Sequence, residues 1–229
     1  MSTPRDDLKL SDKQFTVYYY LLSISKFNQY EENHRYVYKN SFNVQKACKM
    51  LGLSKSTFYK AIDALCDCDF VQKFKDYYLL YAPHCKYADI NLSILSGLLM
   101  FRKFTGVDLI RTYLVLLNLY EIDSREVKTF SRKSLLEVLG LSTKRKENYL
   151  IMEIYLSLLQ EWKLIKITEK KITNNFTTYT LYSLDKVSHK SDYIENLSSR
   201  IDCEIKLDGY CDGITDEIRN KLIKIIALR

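Results

Sequence analysis

The chain of 229 residues carries 35 Lys and Arg against 28 Asp and Glu, a formal net charge of +7, with 47% apolar residues. That balance excludes disorder over most of the length. The absence of an apolar run of about 18 residues and of a charged-then-apolar leader sets the expectation of neither a membrane span nor secretion.

In chain order, the first expected element is a helix over 11–27, with Phe15, Tyr18, Tyr19 and Leu22 on one side. A short apolar helix at 44–51 ends at Gly52, which suits the left-handed residue that closes a last helical turn. Leu53 then tucks into the turn, and Ser54 is the N-cap of the next helix. Phe58, Ile62 and Leu65 recur at spacings of four and three as a buried stripe, leaving Lys55, Ser56, Thr57, Tyr59 and Lys60 outside. Phe70 to Phe74, a turn at Asp76, and Tyr77 to Ala82 read as a hairpin with Lys73 and Lys75 at its tip. Asn91 to Phe104 reads as an apolar linking helix, and Thr105 with Asp108 as a capping-box-like start for a Leu-rich helix over 107–120.

A second short apolar helix, 134–139, is closed by Gly140 and followed by Leu141, with Ser142 as the next N-cap. The helix it opens has an expected stripe of Leu150, Ile154 and Leu158, with Ile151 and Tyr155 on an adjoining row. Thr143, Lys144, Arg145, Lys146, Asn148 and Tyr149 lead that helix and are polar. Leu164 to Thr168 and Phe176 to Leu184 read as a longer hairpin around a tip at 169–175, with Lys170, Lys171, Asn174 and Asn175. The tail, 186–229, holds 8 basic and 8 acidic residues, so the positive charge lies upstream of it. Ile214 to Leu228 reads as a terminal helix whose Ile218, Leu222, Ile225 and Ile226 need a partner surface.

These elements repeat. Phe42, Leu51, Gly52, Leu53 and Ser54 match Phe130, Leu139, Gly140, Leu141 and Ser142 at an offset of 88. Leu65 to Val71 resembles Leu159 to Ile165 at an offset of 94, so the later copy holds six extra residues, expected in a longer helix. The expected fold class is α+β, mainly α with small β-hairpins. Its expected units are 1–86, 87–185 and a C-terminal extension 186–229.

The L-G-L-S motif, followed by a polar-led helix and a hydrophobic hairpin, resembles winged helix-turn-helix DNA-binding domains. Two copies in one chain resemble tandem winged-helix replication initiators of plasmids and phages and transcription regulators of mobile elements. The resemblance implies binding to double-stranded DNA by either kind of protein. The residue chemistry agrees. A helix N-terminus fits the major groove, where Arg forks onto guanine and Asn onto adenine. Lys144, Arg145, Lys146 and Asn148 stand there in the later copy. Lys55, Ser56, Thr57, Tyr59 and Lys60 suit phosphates in the earlier one, and the hairpin lysines suit the minor groove or the backbone. A protein adaptor with winged helices as docking surfaces is the alternative, and the terminal helix leaves a homodimer or a protein partner open.

No G-x-x-x-x-G-K-[ST] is present, and His34, His84 and His189 form no ligand set, so neither catalysis nor a cofactor is expected. The six Cys form no C-x-x-C pair, which points to free thiols in a reducing cytoplasm and to no metal site. Tyr18, Tyr19, Tyr20, Tyr36, Tyr38, Tyr77 and Tyr78 are expected in cores and hairpins, with base stacking as the other reading.

Overall fold

The computed structural model describes residues 9–27, 34–81, 91–121, 128–174, 177–188 and 216–228. Its elements are mixed α+β. The first group runs α1 (Asp12–Ile24), β1 (Lys26–Phe27), β2 (His34–Tyr38), α2 (Val44–Leu51), α3 (Lys55–Asp67), β3 (Val71–Lys73) and β4 (Tyr77–Tyr81). Two linking helices follow, α4 (Leu92–Met100) and α5 (Arg102–Thr105). The second group runs α6 (Asp108–Glu121), β5 (Thr129–Phe130), α7 (Arg132–Val138), α8 (Lys146–Glu161), β6 (Ile165–Asn174) and β7 (Thr177–Val187), and α9 (Asp216–Ala227) comes last.

Both groups share one topology. The strand before the short helix pairs antiparallel with the second strand of the hairpin, in sheets ordered β1-β2-β4-β3 and β5-β7-β6. The short leading strands β1, β2 and β5 are not among the sequence expectations, because two to five residues give too little alternation to see. Their partners set the register: Val37 opposes Tyr78 in the first sheet, and Phe130 opposes Tyr182 in the second.

The repeat extends to individual hydrogen bonds. After α2, Gly52 sits at φ 62° and the Leu53 N–H donates to Cys48 O at 2.9 Å. After α7, Gly140 sits at φ 70° and the Leu141 N–H donates to Leu136 O at 2.9 Å. This is the six-to-one closure that a left-handed residue permits. The long helices close in the same way without glycine: Asp69 and Lys163 take φ 59° and 57°. The Phe70 and Leu164 N–H groups then donate to Leu65 and Leu159 O at 3.0 and 2.9 Å. A third pair is formed by buried tyrosines of the opening helices. Tyr18 Oη donates to Tyr81 O at 2.8 Å and Tyr113 Oη to Ser188 O at 3.1 Å, each tying the helix to the end of its hairpin.

The apolar stripe of α3 is as expected: Phe58, Ile62 and Leu65 are fully buried. That of α8 is as expected at Tyr155 and Leu158, both fully buried, and turned elsewhere: Met152, Leu156 and Leu159 also face the core, whereas Leu150 is 50% exposed. Tyr155 sets the rotation, because its hydroxyl donates to Thr105 O at 2.7 Å inside the core. Thr105 does not open α6. It ends α5, and its own hydroxyl donates back to Phe101 O at 3.1 Å.

The linking helices are bonded to the first group through arginine. Arg102 Nε donates to Thr16 Oγ1 at 2.8 Å, and Arg102 Nη1 donates to Leu51 O, the last carbonyl of α2. Burial lowers its affinity for the proton, with Asp12 acting against that shift. Arg111 of α6 donates to Leu10 O, lies 3.4 Å from Asp12 and covers the Phe15 ring at 4.8 Å. The terminal helix buries Ile218, Leu222 and Ile225 on α5 and α8, and Lys221 pairs with Glu161. Three of the four apolar residues expected to seek a partner therefore find it within the chain, and Ile226 stays exposed.

Arg102→Ala removes two hydrogen bonds from a charged donor and leaves the Leu51 carbonyl short of a partner. A loss of about 2 kcal/mol of folding stability is expected. Urea denaturation checks it; an unchanged midpoint would show that the bridge contributes nothing.

Candidate nucleic-acid interface

The turn after Gly52 sends α3 away from α2 and fixes what it presents. Ser54 Oγ accepts from the Thr57 N–H at 3.0 Å, the expected cap. Thr57 is half-buried, with its hydroxyl 2.9 Å from Ser54 Oγ, so it completes the cap. Lys55, Ser56 and Lys60 are exposed, as is Tyr59 at 43%. Among the described residues the side chains of Lys55 and Lys60 form no hydrogen bond or ion pair. Exposed Lys46 and Lys49 extend this positive surface along α2.

The first hairpin is arranged differently from expectation. Lys73 is the last residue of β3, and its ammonium pairs with Asp63 of α3. That hydrogen bond raises the Lys73 pKa, against a smaller opposing effect of burial. Lys75 is exposed in the turn itself. Lys39 has no sequence signal as a wing residue, yet its Nζ donates to Phe74 O at 2.6 Å and Lys75 O at 3.0 Å and holds that turn.

The second group departs further. Ser142 does not cap α8. Its hydroxyl accepts from the Lys144 N–H at 3.3 Å and closes a turn over 143–145, and the helix begins only at Lys146. Asn148 Nδ2 donates back to Ser142 O at 2.8 Å, so its amide braces this turn instead of projecting toward a base. Thr143 is half-buried. Lys144, Arg145 and Lys146 are exposed, and their side chains have no partner among the described residues. The helix beyond them presents Glu147, Leu150 and Glu153, the last paired with Arg132 at 2.6 Å. The cations of this group therefore cluster before and at the helix start, near its free N–H groups, and not along its flank.

The second hairpin is longer than expected, because pairing continues from Ile165 opposite Val187 to Asn174 opposite Thr177. Lys170 and Lys171 consequently lie within the ladder, opposite Leu181 and Thr180, and not at a tip. They are exposed and, as neighbours on a strand, project to opposite faces. Asn174 is the last residue of β6, and Asn175 lies outside the described residues.

Among the described residues no helix is long and apolar enough to cross a membrane. No family model, curated protein or solved structure matches this chain.

The Asp63–Lys73 pair is solvent-exposed, so its effect on stability is small. Asp63→Asn releases the Lys73 ammonium and removes a negative charge from the α3 face. If the duplex binding expected from the sequence uses this face, binding tightens by about two- to five-fold, with stability unchanged within about 0.5 kcal/mol. Fluorescence anisotropy at fixed salt measures it; unchanged or weaker binding would count against this face as a DNA contact.

Proposed function

We propose that the chain binds double-stranded DNA in a sequence-specific way through two winged helix-turn-helix modules. It serves in the cytoplasm as a transcription regulator or a replication-origin binder of a plasmid or phage. The observation that carries this reading is the duplication itself: one helix–turn–helix–hairpin order with one strand pairing, twice, and unpaired lysines or arginine at the turn-proximal end of the second helix each time. A core-building role alone would not require exposed cations at the same place in both groups.

The two modules are suited to different contacts. The flank of α3, with Lys55, Ser56, Tyr59 and Lys60, can lie in a major groove. The Lys144–Arg145–Lys146 cluster is suited to phosphates beside the start of α8. Since Arg102 and Arg111 bond the linking helices and α6 to α1 and α2, the spacing of the two contacts is set by the protein. On this reading the two half-sites lie about one helical turn (~34 Å) apart, the spacing at which both modules can meet one face of the duplex.

One observation favours the adaptor reading for the second module: the exposed Leu150 between Glu147 and Glu153 gives α8 a flank better suited to protein than to DNA. Salt separates the two, because phosphate contacts release counterions and apolar docking does not.

Replacing Lys144, Arg145 and Lys146 together with Ala should leave the melting temperature in place, since all three are exposed. Duplex affinity should fall by about ten-fold or more, and the slope of log affinity against log salt should flatten by roughly two to three. Unchanged affinity and slope would refute the assignment of this surface. In a selected binding site, inserting about five base pairs between the half-sites should abolish the joint footprint, because it turns one half-site to the far side of the duplex.

A further inference from the structure

The first sheet has a second face that the duplex reading does not use. Val37, Tyr78, Leu80 and Val71 point into the core and are buried. Strand alternation therefore turns His34, Tyr36, Tyr38, Tyr77 and Tyr81 to the other side, together with Leu79, which is buried between them. Register confirms the grouping, since Tyr38 opposes Tyr77 and His34 opposes Tyr81. Phe74 joins them from the turn, its ring stacked on Tyr77 at 4.6 Å. Tyr36 and Tyr38 lie 5.4 and 6.1 Å from Tyr77, but tilted by 52° and 59°, so neither is stacked flat on it. Tyr38 remains 46% exposed.

We propose that this face, centred on Tyr38 and Tyr77, is a stacking site for the unpaired bases of single-stranded nucleic acid.

Three features select that occupant. Tyr38 is exposed and Tyr36, Tyr77 and Tyr81 are half-buried, so the accessible groups of this face are aromatic, and a base has a π-face to match each ring. Cations border the face: Lys26, opposite Tyr36 in β1, and Lys75 in the turn, both exposed, with Asp76 as the acidic neighbour in the same turn. A polyanionic backbone thus meets net positive charge. The spacing also excludes a duplex. Alternate residues of a strand lie about 6.8 Å apart, twice the 3.4 Å rise of stacked bases, so only an unstacked strand can lay successive bases on Tyr36 and Tyr38. The inference does not depend on the duplex contacts, which use other side chains.

The test is fluorescence anisotropy with labelled oligomers of about 15 nucleotides, within the reach of one such site. Three probes are used: a mixed-sequence deoxyribo-oligomer, its ribo counterpart, and an abasic deoxyribo-oligomer of equal charge. The wild-type chain should prefer either base-bearing oligomer to the abasic one, and the tighter of the two sugars names the natural strand. Tyr38→Ala should weaken base-bearing binding by roughly five- to one-hundred-fold and erase the preference, whereas Tyr38→Phe, which keeps the ring, should retain it. The Lys144, Arg145 and Lys146 triple variant should keep the preference while losing duplex affinity, which separates failure of this site from failure of the duplex reading. Equal wild-type binding to base-bearing and abasic oligomers would overturn the proposal, and that comparison needs no variant. An unchanged affinity in Tyr38→Ala would overturn it too.

Discussion

Four left-handed residues hold the two modules in shape: Gly52 and Asp69 in the first, Gly140 and Lys163 in the second. Each stops a helix within two residues and lets the next N–H reach back to a carbonyl five residues earlier. The first of each pair fixes the angle at which the cation-bearing helix leaves, and the second aims the hairpin back under the strand that precedes the turn. Without these closures α2 and α7 would run on, and neither Leu53 nor Leu141 would reach the core they now pack against. At 52 and 140 glycine serves through its free access to the left-handed region and not through lack of space, since nothing crowds either position. At Asp69 and Lys163 a side chain carries the strain of roughly 1 kcal/mol that a left-handed L-residue costs.

That first closure is also where the modules meet. The carbonyl that accepts from Arg102 belongs to Leu51, directly before Gly52. The same arginine binds Thr16 of α1, and three residues later Thr105 O receives the hydroxyl of Tyr155 from α8. A short path of hydrogen bonds thus runs from the turn that aims α3 to the helix that carries the second set of cations. Because α9 packs on α5 and α8, the tail braces the same junction. The C-terminal extension therefore acts on the linkage between the modules before it acts on any partner.

The repeat was legible because its signals are local. A glycine after a short apolar helix and an apolar pair beyond the long helix need no tertiary context, and the closures they predict form in both copies, whereas the serine cap forms only at Ser54. The α3 stripe was legible for the same reason. What escaped notice depends on distant partners. The rotation of α8 follows from Tyr155 bonding to Thr105, fifty positions away, and no periodicity within the helix reports it. Lys73 looked like a free wing cation because Asp63 sits ten residues earlier on another element. Asn148 looked like a base reader because the sequence does not show that Ser142 would start a turn instead of a helix. The aromatic face of the first sheet could not be separated from core tyrosines, since the strand β2 that sorts them was itself too short to see.

The six extra residues of the second copy divide the chemistry of the two modules. The long helix has 13 residues in the first and 16 in the second, so half of the insertion lengthens the helix and the rest forms the turn at Thr143 to Arg145. The turn moves two of the three cations off the helix, and the added helical residues bring Glu147 forward in their place. An acidic residue in the first turn stabilises the helix through its dipole and at the same time discourages approach of a phosphate along that flank. The first module has no such residue in the first turn of α3, where Lys55 leads instead. One insertion therefore leaves the first module with a helix flank that can follow a groove, and the second with a compact cationic knob that can hold a backbone. On the proposed DNA-binding reading, the pair is a reader and an anchor on a common frame, not two equal readers.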